Sequence, residues 1–76
     1  MGISTKIEEL INLANKGDVQ AQNDLGECYY TGEGVEQDYV KAVEWVKKAA
    51  DQGYVEAQKN LAVCYYNVKR IRQQLP

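Results

Sequence analysis

A segment of eighteen residues occurs twice in this chain, because Ala14–Thr31 aligns with Ala50–Asn67 after a shift of 36 positions. Nine of the eighteen aligned pairs are identical. They are Ala14/Ala50, Gly17/Gly53, Val19/Val55, Ala21/Ala57, Gln22/Gln58, Leu25/Leu61, Cys28/Cys64, Tyr29/Tyr65 and Tyr30/Tyr66. A fixed period of roughly 20–50 residues indicates a solenoid, in which each unit buries its apolar face against its neighbour.

The composition excludes several classes of protein. A chain of 76 residues forms one domain at most, and 45% hydrophobic with 26% charged residues is typical of a folded chain. The net charge of −2 gives no support for nucleic-acid binding. No apolar run approaches the roughly 20 residues that span a bilayer, and no secretory signal is present. We therefore expect a cytoplasmic chain with neither a nucleic-acid nor a membrane partner.

Helical periodicity and glycine stops predict an all-α fold of four helices. After a leader over 1–4, apolar residues recur at helical spacing, and Gly17, Gly32 and Gly53 are suited to helix ends. Gly26 lies within the second helix, where its small size suggests close approach of a neighbouring helix. The predicted helices cover about 5–16, 19–31, 39–52 and 55–74.

The repeat fails after Asn67. Residues 68–76 lack the glycines of the first copy and carry three basic residues with no acid. The fourth helix can therefore continue to about residue 74. This divergent basic segment is either a cap on the end of the stack or a sequence foreign to the repeat.

The aligned segments resemble the Sel-one-like repeat family, relatives of the tetratricopeptide repeat. The resemblance covers about 14–67 and rests on a long set of matching residues: Ala21, Leu25-Gly26, Tyr29-Tyr30, Gly32-Glu33-Gly34-Val35, Asp38-Tyr39, Lys41-Ala42, Glu44-Trp45, Lys48-Ala49-Ala50 and Gly53. It implies antiparallel helix pairs in a short right-handed α-solenoid. Residues 5–67 then hold one full pair flanked by two half repeats. It also implies an adaptor or scaffold for protein–protein contact.

Residues suited to catalysis are scarce. The chain has no histidine, and its two cysteines are too few for a zinc site, which requires about four ligands. Cys28 and Cys64 are interpreted as small buried hydrophobes. The Gly32-x-Gly34 pair lacks the context of a phosphate loop and is interpreted as a helix–helix turn. We expect no enzyme activity, no metal and no cofactor.

Two surfaces are candidates for binding. The first is a strip on the second and fourth helices, which line the concave face in this family and would contact a protein or peptide partner. Its residues are Gln20, Asn23, Glu27, Tyr30, Glu56, Lys59, Val63 and Tyr66. Adjacent helix residues point about 100° apart, so Tyr29 and Tyr65 are assigned to the core and Tyr30 and Tyr66 to the surface.

The second candidate surface would make the chain a self-assembling structural unit. Apolar residues at the two ends of the stack would then pair with other copies of the chain. The residues concerned are Ile7, Ile11, Ile71 and Leu75. This alternative predicts a homo-oligomer, with a dimer as its simplest form.

Overall fold

The computed structural model describes the backbone of residues 5–74 and the side chains of residues 5–70. Four helices follow one another: α1 (Thr5–Asn15), α2 (Val19–Thr31), α3 (Tyr39–Asp51) and α4 (Val55–Gln74). The described residues contain no strand. The all-α prediction is confirmed, and each predicted helix boundary falls within one residue of the observed one. The leader over 1–4 lies outside the described residues.

Glycines and aspartates set the helix boundaries. Gly17 and Gly53 adopt φ values of 98° and 88°, in the left-handed region that glycine tolerates, and each follows a helix end. The Asp18 carboxylate accepts a hydrogen bond from the Ala21 backbone N–H at 2.9 Å and so caps α2. Asp38 caps α3 through the N–H three residues further on, at 3.1 Å.

Each helix packs against the next one in sequence, which gives a row of antiparallel helices. The α2–α3 contact is the most extensive, and α2 also touches α4. One core cluster, which includes Ile7 and Leu25, joins α1 to α2, and a second, which includes Val46 and Ala57, joins α3 to α4. The Cα atoms span 38 × 35 × 14 Å, so the row is thin.

The α2–α3 contact is closest at Gly26. A Cβ atom at this position would collide with Val46 Cγ2 and lie 3.1 Å from both Ala42 O and Val46 N. Two of those neighbours are backbone atoms, which cannot rotate away. The predicted close approach is therefore observed, and it leaves no room for a side chain.

A repeated glutamine ties each α2-type helix to the helix before it. Gln22 Nε2 donates to Ala14 O at 3.1 Å, and Gln58 Nε2 donates to Ala50 O at 3.4 Å. Both acceptors lie in the last turn of a helix, and each carbonyl also accepts the backbone N–H of the glycine three residues further on. This shared hydrogen bond accounts for the Gln22/Gln58 identity in the repeat.

The predicted self-association surface is not free at its N-terminal end. Ile7 is buried in the α1–α2 core and Ile11 is half-buried against it. Their side chains face α2 because α1 packs on α2 through this stripe. The prediction that they offer an open contact is therefore wrong. The side chains of Ile71 and Leu75 lie outside the described residues.

The assignment of Tyr65 to the core is also wrong, because its side chain is 49% exposed. Its counterpart Tyr29 packs against the core cluster, beside Val35 of the loop and beneath the Lys41 ammonium group, 5.5 Å from the ring centroid. That loop and α3 cover α2. Within the described residues, no equivalent loop or helix covers α4.

We expect Gly26→Ala to lower the free energy of unfolding by about 1–3 kcal/mol, because the added methyl overpacks the α2–α3 contact. At an exposed helical site the same change would stabilise the protein by about 1 kcal/mol. Denaturation in urea measures the difference. The matched control is Ala62→Gly at the equivalent, exposed position of α4, which should cost only the helix-propensity difference. A Gly26→Ala variant more stable than the parent would contradict the close approach.

Candidate binding groove

A groove of about 410 Å³ opens along α2, with side chains of α1 and α4 contributing to its walls. Val46 of α3 also lines it, and it has both apolar and charged lining residues. The residues that line it are Lys6, Leu10, Asp24, Gly26, Glu27, Cys28, Tyr30, Thr31, Glu33, Val46, Asn60, Val63 and Cys64.

The structure brings three residues of the predicted strip together in this groove, namely Glu27, Tyr30 and Val63. Asn23 is only 1% exposed, so its placement on the binding surface is wrong. It is buried where α4 lies across α2, and its Oδ1 accepts a hydrogen bond from Asn60 Nδ2 at 3.0 Å.

The other members of the strip are exposed but do not line the groove. The side chain of Tyr66 is 66% exposed, as predicted. Its neighbours from the strip are likewise on the surface: Gln20, Glu56 and Lys59. The predicted strip is therefore not one continuous surface. Some of its residues line the groove, and others are exposed elsewhere.

Tyr30 is half-buried rather than freely exposed, which corrects its assignment to the surface. Its ring meets the Tyr39 ring edge-on, with centroids 5.3 Å apart, and its hydroxyl accepts a hydrogen bond from Asn67 Nδ2. Gln37 Nε2 donates to Tyr30 O at 2.7 Å and to the Tyr39 hydroxyl at 3.2 Å. Tyr30 therefore links α2, α3 and α4 and presents only part of its side chain to the groove.

Asn60 fixes the position of a groove carboxylate. Besides its bond to Asn23, its Nδ2 donates to Glu27 Oε1 at 2.9 Å. Glu27 is consequently held at the junction of α2 and α4. A carboxylate oriented in this way needs less ordering when it contacts a ligand.

The groove has a negative electrostatic character. Burial raises the pKa of the Asp24 carboxyl, and the nearby Glu56 and Asp18 carboxylates raise that pKa further, against the opposing charge of Lys6. Burial likewise raises the pKa of the Cys64 thiol, with a further contribution from Glu27. Negative charge already in the groove thus disfavours any additional negative charge there.

The two cysteines are free thiols, and both line the groove. Cys64 is buried, whereas Cys28 is half-buried beside the core. Burial raises the pKa of the Cys28 thiol, and Glu33, Asp24 and Glu27 add to the increase. Both thiols are therefore poor nucleophiles. Among the described residues, no cluster of three or more histidine, cysteine, aspartate or glutamate side chains could hold a metal ion.

Sequence reasoning missed several lining residues, chiefly Lys6, Leu10, Asp24, Glu33 and Asn60. One signal was available: Asp24 lies three residues before Glu27 and four after Gln20, so all three share a helix face. The contributions of α1 could not be read from the repeat, because they depend on how α1 packs against α2.

The four antiparallel helices of residues 5–74, with a 36-residue sequence period, define a helical solenoid repeat protein. The model of the Sel1 repeat family matches residues 19–54 and 55–67. The chain therefore belongs to the Sel1 repeat family, whose repeats are not catalytic and generally mediate protein–protein interaction. Neither curated proteins nor solved structures gave a significant match. Across the described residues, every helix is too short or too polar to cross a membrane.

We expect both thiols to react slowly with iodoacetamide in the folded protein, and Cys64 more slowly than Cys28 because it is more deeply buried. Raising the pH should speed both reactions, since the raised pKa values leave little thiolate at neutral pH. Mass spectrometry of quenched samples gives the two rates. Denatured protein is the control, and equal rates in the folded and denatured states would refute the assignment.

We expect Asp24→Asn to raise the melting temperature at neutral pH. The folded-state pKa of Asp24 is raised above 3.8, so its ionised form destabilises the fold. As the pH falls through the folded-state pKa toward 3.8, the parent takes up its proton and the advantage of the variant shrinks. Circular-dichroism melts across this range measure the effect. The control is Glu44→Gln on exposed α3, and a lower melting temperature for Asp24→Asn at neutral pH would contradict the argument.

Proposed function

We propose that this chain is a protein-interaction module, of the adaptor or scaffold type, that binds a segment of another protein in the groove. The observation that carries the proposal is the groove itself. It combines Leu10 and Val63 from different helices with part of Tyr30 in one concavity. Its volume lies within the range of about 300–1,000 Å³ that is usual for binding clefts.

The exposure of Val63 supports this choice. Its side chain is 52% exposed although it lies in a concave, partly apolar surface. Burying such a side chain against a partner gains part of the roughly 1.5–3 kcal/mol that full burial of a large aliphatic residue provides. Membership of a family of interaction repeats points to the same class of function.

The self-assembling unit is the weaker candidate. Its N-terminal contact residues, Ile7 and Ile11, pack within the molecule against α2. The groove, in contrast, is open to solvent at Val63 and Glu27, which are exposed.

The test is capture of interacting proteins on the immobilised chain, with the parent compared with Val63→Gln. Glutamine adds no charge and favours the helix somewhat more than valine does, but it removes the apolar wall. We expect the variant to retain several-fold less of each protein that the parent captures, with an unchanged circular-dichroism spectrum.

The matched control is Val40→Gln on α3, which makes the same change at a valine that is 67% exposed and lies outside the groove lining. Retention by this variant should equal that of the parent. Equal losses for the two variants, or no loss for either, would overturn the groove as the binding site.

A further inference from the structure

The charges in the groove are unbalanced. Asp24, Glu27 and Glu33 line it, and Lys6 is the one basic residue among the described residues of the lining. The only ion pair among the described side chains of residues 5–70 joins Lys47 to Asp51, on α3 and away from the groove. The three groove carboxylates therefore form no ion pair within that part of the chain, although the charge of Lys6 acts on Asp24.

Burial raises the pKa of three neighbouring groups, and acidic neighbours raise each of these pKa values further. The three groups are the carboxyl of Asp24 and the thiols of Cys28 and Cys64. The acidic contributions come from α2 and the loop after it, from Glu56 of α4 and from Asp18, the cap of α2. The potential thus belongs to the groove as a whole and not to a single side chain.

Apolar contact and negative charge occur side by side. Leu10 of α1 and Val63 of α4 contribute apolar lining, while Glu27 is held in place by Asn60. A ligand that fits must therefore offer an apolar group and positive charge in close succession. An acidic ligand, nucleic acid included, would meet like charge in a concave site, where fields are strongest.

From this complementarity we propose that the groove binds a basic, amphipathic segment of another protein. An aliphatic or aromatic side chain of that segment enters between Leu10 and Val63, and flanking lysine or arginine residues lie against Asp24, Glu27 and Glu33. The proposal rests on the proposed function and specifies its class of partner. Arginine suits the fixed Glu27 carboxylate well, because its planar guanidinium can donate two parallel hydrogen bonds.

The test begins with a random peptide library displayed on phage and selected on the immobilised protein. We expect the selected peptides to be enriched in lysine and arginine around one or two apolar residues. Enrichment in acidic or purely neutral apolar sequences that still require Val63 would overturn the basic partner and leave the groove function standing. A selection that yields no groove-dependent peptide would overturn both.

Charge variants then measure the electrostatic part with a fluorescein-labelled selected peptide. Exposed charge pairs contribute modestly, so we expect Glu27→Gln and Glu33→Gln each to raise the Kd by roughly two- to fivefold. Added salt should weaken peptide binding to the parent more than peptide binding to the double variant, which combines Glu27→Gln and Glu33→Gln. The matched control is Glu44→Gln on α3, which removes the same charge outside the groove lining and should leave the Kd unchanged.

Two results would overturn the proposal at this stage. The first is an equal rise in Kd for Glu44→Gln, which would mean that only the net charge of the protein matters. The second is a molecular mass that increases with concentration in the parent but not in the double variant. That result would identify a second copy of this chain, through its basic residues Lys69 and Arg70, as the occupant.

Discussion

The close approach of α2 and α3 at Gly26 is the constraint on which the rest of the structure depends. With only hydrogen atoms on the Gly26 Cα, α3 comes close enough for Val46 to fill the space in front of it. This pair forms the largest helix–helix contact, and α1 attaches to α2 while α4 attaches to α3 and also touches α2. A wider α2–α3 spacing would therefore alter the distance between α1 and α4, and with it the width of the groove.

The character of the groove follows from how α1 and α4 attach. α1 and α4 both pack against the core through their apolar residues. The part of α2 that remains uncovered toward the groove is mainly polar. Asp24 and Glu27 lie on that face. Burial raises the pKa of Asp24, and repulsion from the Glu56 and Asp18 carboxylates raises it further. The Gln22–Ala14 hydrogen bond and the core hold the helices in place, and the fold therefore tolerates the cost of this burial and repulsion. Binding surfaces typically carry a cost of this kind.

The helices could be predicted from sequence because their signals are local. Gly17 and Gly53 end helices and Asp18 begins one, whatever the rest of the chain does. The exposure of Tyr65 could not be predicted in this way, because it depends on whether another element covers α4. The same reason explains Asn23, whose burial depends on the path of α4 across α2. In the groove, Glu27 and Val63 followed from the helix faces, whereas Leu10 required the packing of α1.

The floor of the groove is also part of the interior. Gly26, Val46 and Cys64 line the groove, and each is buried in the folded chain. In a molecule only 14 Å thick between Cα atoms, one layer of side chains serves both purposes. Occupation of the groove and global unfolding are therefore linked equilibria. A ligand at one hundred times its Kd would shift the folding equilibrium by about 2.7 kcal/mol, a large fraction of the stability of so small a domain.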